Sequence, residues 1–299
     1  MMMRNTLFKN NNAIQSVNGL IRSKKMNGLT VLLMCMSGLS TMLFTGCETV
    51  NTSPVSMMKT GQSPANPETA ALARVGIAAQ FIRSGDLDAA QRSLAIALET
   101  SPKLPEANNM MGVLLQREGS EPNQIKAEEY FKRAIYYKQD FAQAHNNYGV
   151  FLSGRKRYAE AYTQFEIAGS QLGYADRAAS LENLGLTALE LNKQAEAQKA
   201  FMQALKTNPD SSIARIELAD IFLKQDRVQV ARNLYDEYLR LLGDEPQSPH
   251  ALWIGMKIAK AQQDNGRLQS LADRLQLVYP NSDEYLHYQE LVKTGAAWN

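Results

Sequence analysis

Cysteine is almost absent from these 299 residues, which contain only Cys35 and Cys47. Two cysteines cannot build a disulfide framework, so stability has to come from packing. Histidine is nearly as scarce. His145, His250 and His287 lie far apart, and none belongs to a Cys/His cluster with metal-ligand spacing. A phosphate-cradling glycine loop, HExxH and GxSxG are all missing. The chain therefore reads as a non-enzyme, with no cofactor, no metal and no small-molecule substrate expected. What remains is a globular composition, 44% hydrophobic and 21% charged.

Acid is missing from the first 46 residues, which carry Arg4, Lys9, Arg22, Lys24 and Lys25 but no Asp or Glu. The stretch "GLTVLLMCMSGLSTMLF" follows the last of these bases, interrupted by Ser37, Gly38 and Ser40. Its apolar core is shorter than the roughly 20 residues a spanning helix needs. A basic start, a short apolar core and small residues before a boundary describe a signal peptide over residues 1–46. Without it the chain has 27 basic and 30 acidic residues, a net charge of −3 in place of +2. No basic face is left to suggest a nucleic-acid partner.

The apolar run ends in "LFTGC". This resembles the bacterial lipoprotein signal, in which the cysteine thiol receives a diacylglyceryl group and the new amine is acylated. Thr45 and Gly46 supply small residues before Cys47, while Phe44 departs from the usual leucine. The same stretch also fits an ordinary signal peptide or an uncleaved anchor. Two or more acyl chains give stable anchoring where one is marginal. Glu48 stands where an aspartate retains enteric lipoproteins at the inner membrane, so the expected location is the periplasmic face of the outer membrane. Residues 47–67, rich in Ser, Thr, Asn, Pro and Gly, read as a lipidated flexible tether. Its 20 residues from Glu48 to Pro67 would span about 25 Å as a coil.

After Pro67 a pattern repeats. Ala90, Ala127, Ala161, Ala197 and Ala231 recur 34 to 37 residues apart. Four residues after each stands a bulky residue: Leu94, Phe131, Phe165, Phe201 and Tyr235. Gly112, Gly149 and Gly185 precede three of these alanines, and Pro102, Pro209 and Pro280 close three units. This is the tetratricopeptide pattern, a helix–turn–helix of 34 residues. Small residues let the two helices approach, and proline ends the second helix because it lacks an N–H and clashes with the preceding turn. The expected fold is all-α, a tetratricopeptide solenoid of about six repeats over residues 68–293, with a capping helix near Asp283 to Lys293 and a tail over 294–299. The second repeat has three extra residues, assigned to an enlarged turn at "EGSEPNQ".

Such solenoids expose a concave surface that binds a polypeptide. Places 2, 5, 9 and 12 of each first helix are expected to line it. In the first repeat these are Leu72, Val75, Ala79 and Ile82; in the second they include Asn109 and Val113. The apolar set of the first repeat reads either as core or as a hydrophobic groove for a partner, and these six residues are the candidate partner-binding set. "GRKRY" at 154–158 reads as a solvated basic turn or a contact with acidic surface or headgroups.

The stretches "HNNYGVFLSGRKRYAEAYTQF", "YADRAASLENLGLTALEL" and "ALWIGMKIAKAQQDNGRLQSLADRLQLVYPNSDEY" resemble the type IV pilus biogenesis and stability lipoprotein family, PilF/PilW, from about Leu72 to Tyr288. The resemblance implies a pilotin-like role: an outer-membrane lipoprotein, anchored by lipid on Cys47, that binds type IV pilus secretin subunits and promotes their localisation and multimer assembly. The alternative is a periplasmic tetratricopeptide scaffold lipoprotein that recruits cell-wall enzymes.

Overall fold

A computed structural model describes residues 66–296 and 298. Cys47, the signal segment and the tether before Asn66 lie outside the described residues. Thirteen α-helices, and no strands, make up the described residues. They form six antiparallel pairs: α1 (Pro67–Ser84) with α2 (Leu87–Thr100), α3 (Pro105–Glu118) with α4 (Glu121–Tyr137), and α5 (Ala142–Gly154) with α6 (Tyr158–Ser170). Next come α7 (Arg177–Glu190) with α8 (Gln194–Thr207), α9 (Ser212–Lys224) with α10 (Val228–Leu242), and α11 (Pro249–Ala261) with α12 (Asn265–Val278). A thirteenth helix, α13 (Asp283–Thr294), packs on the last pair. The fold is an all-α tetratricopeptide solenoid of six repeats with a C-terminal capping helix.

Local chemistry sets the helix ends. Asn66, Asp86, Ser120, Ser211, Ser248, Asp264 and Ser282 accept a backbone N–H of the first turn they precede. Prolines begin α1, α3 and α11, where their missing N–H costs nothing. Each turn inside a repeat passes through one left-handed residue: Gly85, Gly119, Lys156, Asn192, Asp226 or Gln263. The extra residues of the second repeat do not enlarge its turn. Only Gly119 and Ser120 connect α3 to α4, and the insertion lengthens α4 to 17 residues. Ser120 caps this helix and Pro122 fits its first turn, so both favour helix over loop.

The core repeats one contact. Phe131, Phe165 and Phe201 are fully buried and lie across Gly112, Gly149 and Gly185 of their own repeats. A methyl group at any of the three glycines would sit under 3 Å from the phenylalanine ring. Phe131 then meets Tyr148 and Phe151 of the next repeat, with ring centroids 6.0 and 5.7 Å away, so one side chain closes the repeat and joins it to its neighbour. A separate cluster of Leu252, Trp253, Met256, Ala272, Leu275, Tyr285 and Leu291 seals the last repeat under α13. Trp298 stacks on Trp253 at 5.3 Å and completes that seal.

The basic turn at 154–158 is held within the chain. Arg155 donates to both carboxylate oxygens of Glu121, and Arg157 bridges Glu128 and Glu160 at 2.7 Å each. Both arginines reach back to α4, so the turn clasps the second repeat to the third. The Arg157 hydrogen bond holds the Glu128 carboxyl down from 4.5 to about 2, against its partial burial. A carboxyl with a lowered folded pKa stabilises fully above its unfolded value, and that stability is lost as pH falls through the folded value. Stability should therefore drop between pH 4.5 and 2. Arg157→Gln should flatten that acid limb by about 1–2 kcal/mol after solvent screening, as read from urea unfolding across the pH range.

Candidate protein-interaction surface

The six candidate partner-binding residues do not form one open groove. Val75, Ala79 and Ile82 are 2%, 2% and 0% exposed and belong to the main core, together with Ala71 and Ala78. They are the packing stripe of α1, and the expectation that they line a groove is corrected here. The reason is geometric: an apolar stripe recurring every three to four residues looks the same whether a partner or the neighbouring helices cover it. Asn109 is buried as well and accepts a hydrogen bond from the Asn147 amide at 3.1 Å. Val113 is half-buried against the core, and Leu72 is 41% exposed. Cys47 lies outside the described residues.

Among the described residues no repeat precedes α1, and its outer face is exposed there. Leu72 and Ile77, the latter 40% exposed, flank a strip that includes Ala73, Gly76 and Gln80. A methyl group built at Gly76 would meet nothing within 4 Å. Small residues between two aliphatic flanks let another backbone come close. Ile77 was not among the expected residues. Its signal was its place on the helix, about 140° round from Leu72 and off the buried stripe.

The first helices of successive repeats are joined by a polar ladder. Asn147 meets Asn109, and Ser180 and Asn183 donate to the side-chain Oδ1 of Asn146 at 3.0 and 3.4 Å. Ser211 donates to Glu182 at 2.6 Å, and His250 meets Glu217 at 2.9 Å. Lys257 and Lys224 both pair with Asp220. The ladder residues Asn146, Glu182, Glu217, Asp220 and His250 are all under 10% exposed. Burial pushes the Glu182 carboxyl up, partly offset by Ser211. Burial also opposes ionisation of Asp220, but the charges of Lys257 and Lys224 outweigh it and hold that carboxyl below the usual range. These partners are side chains. The chain signal that finds them is spacing, since every pair that joins two repeats spans 29 to 38 residues, about one repeat, while Lys224 meets Asp220 within α9. His145 is likewise satisfied in place, with Nε2 on the Gln139 carbonyl at 2.9 Å and Nδ1 against Gln164 at 2.7 Å.

This geometry suits protein binding: stacked repeats joined by buried polar contacts and, among the described residues, an exposed face on the first helix. No group of three His, Cys, Asp or Glu among the described residues is placed to hold a metal ion. No helix among them is long and apolar enough to cross a membrane. Comparison with known proteins agrees with the repeat reading, since the tetratricopeptide repeat family matches residues 182–247. Type IV pilus assembly protein PilF of Pseudomonas aeruginosa is 32% identical over 209 residues, covering 70% of this chain and 81% of PilF. The chain belongs to the PilF/PilW family. A solved structure from the functional characterization of Pseudomonas aeruginosa PilF superposes with a TM-score of 0.69 at 29% identity, over 75% of this chain and 98% of that one. The crystal structure of PilW, a widely conserved type IV pilus biogenesis factor, gives 0.61 at 26% identity, over 73% and 98%. Within the PilF/PilW family, then, the likeness covers 70–75% of this chain and not a single repeat.

Proposed function

We propose that this chain acts in type IV pilus biogenesis as a pilotin-like lipoprotein. In this reading Cys47 is acylated and holds the solenoid at the periplasmic face of the outer membrane. The solenoid binds subunits of the pilus secretin and promotes their localisation and assembly into the multimeric pore. The observation that carries the reading is the match to PilF along most of the length of both chains. The open strip of α1 supports it physically. It lies at the end of the solenoid next to the tether, so it would meet a partner close to the anchored end.

The test is a deletion strain. The secretin should run as monomers after heating in detergent, and twitching should be lost. Normal heat-resistant multimers in that strain would end the proposal. Returning the gene with Cys47→Ser should restore the protein but not outer-membrane secretin, and the variant should take up no labelled palmitate.

A further inference from the structure

The two long edges of the solenoid differ. One edge carries the turns inside repeats, at residues 85–86, 119–120, 155–157, 191–193, 225–227 and 262–264. Among the described residues none of these turns bears an exposed large hydrophobic side chain. The other edge carries the loops between repeats. There Tyr136 is 78% exposed, Tyr137 37% and Leu172 84%. The tyrosines end α4 with their rings in edge contact at 5.4 Å, and Leu172 sits in the loop between α6 and α7. The two loops are neighbours, because Asp140 and Phe141 of one and Gln171 and Tyr174 of the other wall the same cleft.

The chain comes into the solenoid on this apolar edge. First helices start, and second helices end, on the side of the inter-repeat loops. Glu68 at the start of α1 shares a shallow hollow with Ser101–Pro105, the first of those loops. The 20 residues from Glu48 to Pro67 lead from that point to Cys47. A coil of 20 residues has a span of about 25 Å, comparable to the length of one repeat helix. An acylated Cys47 thus ties the domain to the bilayer by the edge that carries the exposed rings. Tyrosine, with an apolar ring and a polar tip, is a favoured residue at a membrane–water interface.

We propose that the inter-repeat edge at Tyr136, Tyr137 and Leu172 rests in the interface of a zwitterionic phospholipid bilayer. The contact fixes the orientation of the anchored solenoid and turns the polar edge away from the membrane. Asp140 and Asp176 line the adjacent cleft and offset the single exposed Lys138 beside Tyr137, so the edge carries no basic cluster to favour anionic lipid. The inference rests on acylation of Cys47, and its test separates the two.

The full acylated chain is reconstituted in phosphatidylethanolamine–phosphatidylcholine vesicles containing brominated lipid. Tyr136→Trp is compared with Gln194→Trp on the polar edge, each read as a difference from the parent protein. Tryptophan at 136 should shift to the blue and be quenched roughly twofold, with little change at 194. Equal quenching at both positions, or none at 136, overturns the proposal and leaves the edge to a protein partner. Mass analysis of the same sample reports acylation. If Cys47 carries no lipid the anchoring reading fails, and the edge is then decided with unacylated chain at higher vesicle concentration. There Tyr136→Ser combined with Leu172→Ser should lower the bound fraction about tenfold, and an unchanged fraction overturns the proposal.

Discussion

Ile82→Asp should cost the protein about 4 kcal/mol or more and fray its first repeat. Ile82 is fully buried in α1 and belongs to the main core with Val75, Ala78 and Leu94. The substitution removes that aliphatic contact and puts a carboxylate among apolar neighbours. Because a solenoid is stabilised repeat by repeat, the loss should appear first as local unfolding of α1 and α2. Hydrogen exchange in 67–100 should rise while repeats three to five stay protected. A partner-binding defect in this variant would therefore say nothing about the binding surface. The surface is probed by Leu72→Asp, which is 41% exposed and should leave the unfolding midpoint within about 0.5 kcal/mol. A folded, fully protected Ile82→Asp protein would contradict the packing of the first repeat.

The difference between Ile82 and Leu72 also marks how far the chain alone could be read. Fold was legible because size constraints recur. Ala90, Ala127, Ala161, Ala197 and Ala231 are all fully buried, and each stands where only a small side chain lets two helices close. The cap was legible from Tyr285, Tyr288 and Leu291, of which Tyr285 and Leu291 are buried. The turn of the second repeat was misjudged because counting residues does not say whether an insertion joins a loop or a helix. Ser120 and Pro122 decide that, and they favour helix. The candidate site was the least legible part. Val75, Ala79 and Ile82 follow the helical period faithfully, but period reports a face and not its occupant. The ladder from Asn109 to Lys257 escaped because its residues change type from repeat to repeat while keeping the spacing. Arg155 and Arg157 looked available for an outside partner because their acids, Glu121 and Glu128, come from the preceding repeat.

Gly149→Leu is the sharpest test of the register that all of this depends on. A Cβ at Gly149 would lie 2.7 Å from Cε1 and 2.8 Å from Cδ1 of Phe165, closer than real side-chain contacts come. Phe165 is fully buried and cannot swing into solvent. Three further leucine carbons have no volume to occupy, so α5 and α6 must separate. Such overpacking costs about 3 kcal/mol, which corresponds to roughly 6–10 °C in Tm for a domain of this size. Gly149→Ala already places the offending carbon and should lose part of that. Phe165→Leu alone should also destabilise, by leaving a cavity at the seam. The two small changes together should cost less than their sum by about 1 kcal/mol or more, because the shorter side chain vacates the space the new methyl needs. Strict additivity would show that Gly149 and Phe165 do not face each other. An unchanged Tm in Gly149→Leu would displace the register of the third repeat, and with it the pairing that puts Arg157 against Glu128.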